Sequence, residues 1–379
     1  MFLALVSATS GSFSVFVACV ALNTSQPNRL YFCLPIVLCG AIGFLASKEL
    51  DDILPGLGQL WGHAIVSHVI HNTAVLYIDK WTLQPSHERQ GWDIHAAYKI
   101  CVNPQLLGTH QEVPHARPVS TSPSRFAFLR KRLGQLLVLQ VLNEFVITPA
   151  YILSFAPISA EDFSPTKMVY FRRLLLGPSV TKFETMLRAA FSVRWIWDNY
   201  IGLCYAQTAL AILFSVILHW DEPWEWRPFF GSPLEAWNMR RFWGIFWHRL
   251  VYRPYTKWGL WFSRKVLRIP YGSRAEKASV VMLVFLLSGA IHALVTWHAT
   301  GCGYWGDIQW FLLNGFVVAG ETIVVKPLSR CFSTEENRAR RVLWFRLAGY
   351  VWVFTFLFWS VPKWEYGKIY CGLSKSRVV

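Results

Sequence analysis

Two imidazoles stand out by their surroundings. His292 lies in the apolar run Val281–Leu294, and His248 ends the aromatic and cationic stretch that begins at Arg241. Imidazole is the side chain that changes charge near neutrality, and in its neutral form it is a general base. Ser288, four residues before His292, shares its helix face and could fix a ring nitrogen. Gly289 leaves room for a substrate close by. Taken alone, His292 could equally be a core histidine bonded to a neighbouring helix.

The second histidine has richer company. If the stretch is helical, Arg241, Gly244, His248 and Tyr252 share one face, and Trp243, Trp247 and Leu250 another. Gly244, one turn before His248, opens space over it. Arg240, Arg241, Arg249, Arg253 and Lys257 supply cations able to grip phosphate, the arginines in bidentate fashion and the lysine as a point charge. The plainer reading is an interfacial helix, with its aromatics at headgroup level and its arginines on lipid phosphate. Glu321 interrupts a further apolar run and is a substrate-pocket candidate, because an ionisable group inside a membrane is costly.

The elements that must hold these residues are membrane helices. The chain has 379 residues, 54% hydrophobic and only 16% charged, with 20 Trp and 27 Phe. A soluble domain carries closer to a quarter charged residues, and abundant aromatics suit bilayer interfaces. Apolar runs at 3–22, 30–46, 56–78, 133–155, 201–220, 278–298, 310–325 and 342–361 imply about eight spans. The expected fold is therefore all-α: a polytopic integral membrane helix bundle with amphipathic interfacial helices, at 172–176 and 183–197, and a partly buried catalytic chamber. Residues 1–78 read as N-terminal transmembrane helices. Residues 79–379 read as the working core, with a motif loop at 225–262 and the catalytic helix at 278–298.

The net charge of +15 belongs to this topology rather than to nucleic acid. Loops 79–133, 221–277 and 326–341 are basic and fall on one side, while 47–55 and 299–305 are acidic or neutral. That is positive-inside patterning with lumenal termini. The long loop holds Arg89-Gln90-Gly91-Trp92 and a Pro/Ser-rich piece, Pro118 to Ser124. It ends in Arg130-Lys131-Arg132, which reads as a cytosolic anchor. Within the fourth span, Gln140, Asn143 and Glu144 must be satisfied inside protein or a wet cavity. His68 and His71 lie one helical turn apart. Without further histidine boxes or carboxylate support they read as polar groups facing the bundle interior, and no metal is expected. The cysteines show no metal spacing, and Cys302 and Cys371 are expected as free thiols despite falling on the same side.

The passage Pro228 to His248, with Asn238-Met239-Arg240-Arg241-Phe242-Trp243-Gly244 at its centre, resembles the hallmark of wax-synthase-like proteins. These belong to the membrane-bound O-acyltransferase superfamily. Ser288-Gly289-x-x-His292 resembles the second hallmark of the same group, at a fitting separation. The likeness is strongest over 225–295. It departs at Ile245, where relatives often carry a polar residue, and at Ala293, where an acid often follows the histidine. Among such proteins the fungal secondary-metabolite acetyltransferases are most similar, in length and over Phe163 to Trp220.

The resemblance implies an enzyme of the endoplasmic reticulum membrane that uses acetyl-CoA as co-substrate and acetylates a hydroxyl of a terpenoid or meroterpenoid. His292 would be the membrane-embedded base, with His248, Asn238 or a backbone amide steadying the oxyanion. Arg240, Arg241, Trp243, Trp247, Arg249, Arg253 and Lys257 would receive CoA. Gly244, Ser288, Gly289 and Glu321 would line the substrate pocket. The expected partners are the bilayer, acyl-CoA and a hydrophobic alcohol, with no nucleic acid. A long-chain wax-ester or sterol acyltransferase would share this chemistry. An integral membrane terpene cyclase would instead rely on acids such as Glu144 and Glu321, and a transporter would move a solute through the polar span 56–78.

Overall fold

The computed structural model describes residues 1–83, 91–109, 111–112, 123–177, 179–331 and 338–376, with side chains described except at 323–342. Arg89, Gln90 and residues 118–122 of the Pro/Ser-rich piece lie outside the described residues. Among the described residues there is no strand. The helices are, in chain order, α1 (Phe2–Leu22), α2 (Leu30–Leu45), α3 (Leu57–Thr73), α4 (Ile94–Cys101), α5 (Arg125–Leu142), α6 (Thr148–Phe155) and α7 (Pro165–Met168). They continue with α8 (Tyr170–Leu176), α9 (Lys182–Ala211), α10 (Met239–Arg241), α11 (Tyr252–Lys265), α12 (Arg274–Thr300), α13 (Trp305–Cys331) and α14 (Arg338–Ser376).

Six helical stretches among the described residues are long and apolar enough to cross a bilayer: 2–22, 26–45, 125–155, 182–217, 274–300 and 343–375. The all-α membrane fold therefore stands, while the count of eight spans does not follow from it. α3 falls outside the six because Gln59, His63, Ser67, His68, His71 and Asn72 dilute its apolar content.

Packing divides the chain into two units, residues 1–113 with 250–319 and residues 114–249 with 320–379. In the first unit α1 and α2 pack closely through small residues. Ser7 Oγ donates to Gly43 O at 2.6 Å and Ser14 Oγ to Ile36 O at 2.9 Å. Hydroxyls bonded to a neighbouring backbone join helices where apolar contact alone distinguishes little between lipid and protein. α3 is fixed to α4 by its polar face. His71 Nε2 donates to Ile100 O at 2.8 Å, and Asn72 Nδ2 donates to Cys101 O at 3.0 Å and to His68 Nδ1 at 2.9 Å. His71 thus bonds into the first unit's interior and His68 bonds Asn72 within α3, which accords with the reading of the pair as inward-facing polar groups. α12 reaches α2 through His298 Nε2, which donates to Leu45 O at 2.9 Å. Cys302 is disulfide-bonded, against expectation.

The second unit corrects three local expectations. The basic run 130–132 does not precede a helix but lies inside one, since α5 begins at Arg125, capped by Ser124 Oγ. Arg132 is buried there, stacks on Phe128 with 5.1 Å between guanidinium and ring, and donates to Trp226 O, so it ties protein to protein rather than to headgroups. The amphipathic piece 183–197 is not a separate interfacial helix, because α9 runs from Lys182 without a break. Its polar residues face protein. Arg188, fully buried, donates to Phe358 O, Lys167 O and Trp359 O at 2.8, 2.9 and 2.8 Å. Cys371 is disulfide-bonded rather than free, a state that oxidising compartments sustain. The polar groups of the fourth span are satisfied from α9: Trp197 Nε1 donates to Asn143 Oδ1 at 2.9 Å, and Tyr205 donates to Gln140. Glu144 accepts from Asn143 at 2.9 Å.

Candidate active site

His292 sits past the midpoint of α12, half-buried, with its ring constrained from two sides. Phe311 of α13 stacks on it at 4.6 Å between centroids, with an interplanar angle of 22°. His63 of α3 meets its edge, with Nε2 of His63 3.2 Å from Nδ1 of His292. Nδ1 of His63 lies 2.8 Å from Gln59 O. Sequence reasoning gave the ring-fixing role to Ser288, but the contact on Nδ1 comes from His63, on a helix 229 positions away in sequence. Single-sequence patterns contain no signal for that pairing. The only cue was a polar residue in a span-like segment, and Gln59, His63, His68, His71 and Asn72 all shared it.

The room expected beside Gly289 is taken by α13. A Cβ there would come within 3.0 Å of Ile308 Cα and of Phe311 Cβ, and within 3.3 Å of Asp307 O. The glycine lets α12 and α13 approach closely, as small residues do between membrane helices, and that approach brings Phe311 onto His292.

The same unit holds Arg253 and Lys257 on α11. Arg253 pairs with Asp79, and its Nη2 also donates to Gln111 Oε1 at 3.0 Å. Lys257 Nζ reaches Asp79 Oδ1 at 2.7 Å. Burial lowers the Arg253 guanidinium from its ordinary pKa, and the Asp79 charge works against that shift. Both cations expected on CoA phosphate therefore share the single carboxylate of Asp79. Nε and Nη1 of Arg253 are buried without a hydrogen-bond partner among the described residues. Tyr255, also on α11, shares a 3.3 Å contact with Ser67 Oγ, and burial pushes its phenol well above the ordinary value.

The second unit holds the rest. The stretch 238–248 is not one continuous α-helix. Asn238 caps a single turn, its Oδ1 accepting from Arg241 N at 2.8 Å. A π-turn follows over Phe242–Phe246, and Trp247 is extended. The shared face expected for Arg241, Gly244, His248 and Tyr252 therefore does not form, because the chain leaves helical geometry before His248. A π-turn shifts the residues that follow it and is frequent at functional sites. His248 packs against Phe230 and Trp247, with centroids at 6.0 and 5.7 Å.

Trp247 lies in an aromatic core, stacked on Trp195 at 5.2 Å and 8° and on Phe242 at 5.4 Å and 19°, and Trp243 packs edge-on against it. Arg241 pairs with Glu235 and lies 5.0 Å from the Trp237 ring. Its pKa is lowered by burial first and then by Arg346. Arg240 extends an exposed side chain, and Arg249 is half-buried. Around Gly244 a Cβ would meet nothing within 4 Å. Glu321, expected in a substrate pocket, accepts from Met239 N, Arg240 N and Trp352 Nε1 at 2.9, 2.8 and 2.7 Å. Its carboxylate anchors the turn that begins the stretch.

Asn238, the π-turn, His248, Gly289 and His292 all fall within one matched segment. Residues 226–313 match the Membrane bound O-acyl transferase family. The resemblance read from the two hallmarks is thereby met. The chain is also similar to acetyltransferase atnC of an Arthrinium species, 32% identical over 48% of this chain and 41% of that protein. Acetyltransferase TRI7 of Fusarium sporotrichioides is 28% identical over 45% and 40%, and acetyltransferase ataH of Aspergillus terreus 31% over 40% and 49%. The chain thus spans less than half the length of these relatives. No solved structure matches it.

Proposed function

We propose that the chain is a membrane-bound O-acetyltransferase that moves an acetyl group from acetyl-CoA to a hydroxyl of a hydrophobic terpenoid or meroterpenoid alcohol, in the endoplasmic reticulum membrane. The observation that carries this reading is the family match over 226–313, which contains His292 and the Asn238–His248 stretch together. Its acetyl specificity rests on relatives that are named acetyltransferases.

In the proposed reaction a nitrogen of His292 takes the proton of the acceptor hydroxyl as its oxygen attacks the thioester carbonyl. The carbon–sulfur bond then breaks, and the CoA thiolate leaves with that proton. Low water access around an apolar helix limits thioester hydrolysis. Arg240, the exposed cation of the 239–249 stretch, is the proposed phosphate contact.

The test is a microsomal assay with labelled acetyl-CoA and a panel of terpenoid alcohols, comparing wild type with His292→Ala. A loss of about 10²–10⁴-fold is expected for removal of a general base. Full activity in a well-expressed variant removes His292 as the base, and a preference for palmitoyl-CoA over acetyl-CoA removes the acetyl specificity.

A further inference from the structure

We infer that His63 is a positioning residue for His292: it fixes the tautomer that leaves the basic lone pair on Nε2, and it holds the ring while that nitrogen takes a proton. The inference rests on the reading of His292 as the base.

Donor bookkeeping carries the argument. The carbonyl of Gln59 can only accept, so the 2.8 Å contact places a proton on Nδ1 of His63. A neutral imidazole has one N–H, so Nε2 of His63 is then an acceptor. The atom facing it at 3.2 Å, Nδ1 of His292, must be the donor. With its proton on Nδ1, neutral His292 keeps its lone pair on Nε2, the nitrogen from which a base acts. When Nε2 gains a proton, the Nδ1–H continues to donate to a neutral acceptor. The hydrogen bond strengthens as the charge develops, and no group has to reorient. The logic is that of a base held by a third group, with a backbone carbonyl and a second imidazole in place of a carboxylate.

Geometry supports the same role. His63 closes one edge of the ring, Phe311 covers a face at 4.6 Å, and Gly289 allows α13 to approach within contact distance. Three helices, α3, α12 and α13, thus fix one imidazole.

The experiment uses the full chain in detergent micelles. His63→Leu removes the acceptor. His63→Gln restores an acceptor near the position of Nε2, and His63→Asn is too short to do so. Expected for His63→Leu is a fall in kcat of about 10- to 100-fold, the size of effect that follows loss of the outer partner of a metal-bound imidazole, with the KM for acetyl-CoA within about twofold. His63→Gln should recover most of kcat and His63→Asn should not. In a His292→Ala background His63→Leu should cost nothing further, since the two act as one unit.

A second arm needs no turnover. Diethyl pyrocarbonate modifies neutral imidazole nitrogen, and the rate at His292, followed by mass spectrometry, should drop severalfold in His63→Leu and return in His63→Gln. Unchanged labelling together with unchanged kcat in a folded His63→Leu overturns the inference. If His63→Leu does not fold, equal behaviour of the Gln and Asn variants overturns it. Wild-type protein that transfers no acetyl group would sink the proposed function instead, and the labelling arm would then decide the pairing alone.

Discussion

Arg253 and Asp79 face each other almost without water, with side chains 4% and 5% exposed, and Lys257 reaches the same carboxylate at 2.7 Å. A buried charge left without its partner is strongly destabilising. Arg253→Ala should therefore act first on stability, by up to about 3–5 kcal/mol, moderated by the remaining Lys257. The check is the thermal midpoint in detergent. The double change Asp79→Asn/Arg253→Met should recover much of the loss, because it removes both deeply buried charges and leaves only Lys257, which at 32% exposure can turn to water. A raised KM for acetyl-CoA at an unchanged midpoint would return Arg253 to phosphate binding.

Gly289 offers a sharper test of how His292 is held. An added methyl group would press on backbone, Ile308 Cα at 3.0 Å, and on Phe311 Cβ at the same distance. Gly289→Ala should cost about 1–3 kcal/mol as an overpacked site, because α13 must shift by a few tenths of an ångström. The same shift carries Phe311 off the His292 ring, so kcat should fall. Altered acceptor preference at full stability would instead mean that open space, rather than a helix, lies beside this glycine.

The membrane class was legible because the bilayer imposes a coarse rule, a run of apolar residues long enough to span it. The two hallmarks were legible because their residues are local in sequence. Longer-range relations were hidden for a physical reason. His63 is one of several polar residues in α3, and which of them meets His292 depends on how α3 and α12 pack, 229 positions apart. Arg132 and Arg188 looked like interfacial charges because composition cannot tell a guanidinium on lipid phosphate from one on a buried carbonyl. The helix assumed through His248 failed at the π-turn over Phe242–Phe246, for which alternating aromatics and glycine leave no distinct periodicity.

Glu321 accepts from two backbone N–H groups and the Trp352 indole, so its loss should loosen the turn at Met239–Arg241 rather than open a pocket. Hydrogen bonds to a charged group contribute about 1.5–3 kcal/mol. Glu321 is half-buried, so the lower end applies, and Glu321→Ala should cost about 2 kcal/mol. Glu321→Gln should fall between the variant and wild type, because one amide group then faces an N–H donor. Hydrogen exchange at 238–242, followed by mass spectrometry, should rise in Glu321→Ala. Protection unchanged there, with acceptor binding weakened, would place the carboxylate on substrate.

A contrast between two glycines separates space that the fold needs from space that a ligand could use. At Gly349 a Cβ would lie 2.0 Å from Trp237 O, in conflict with backbone that cannot give way. Gly349→Ala should therefore be among the most damaging single-methyl changes in the chain, with low yield of folded protein. At Gly244 the same methyl group would meet nothing within 4 Å. Gly244→Ala should leave the free energy of unfolding within about ±0.5 kcal/mol, the range typical of sites away from packed contacts. Gly244→Leu, still free of steric conflict at Cβ, then reports on the empty volume itself. A raised KM for the alcohol or for acetyl-CoA at unchanged stability assigns that volume to the corresponding substrate, and unchanged kinetics in both variants removes Gly244 from the substrate pocket.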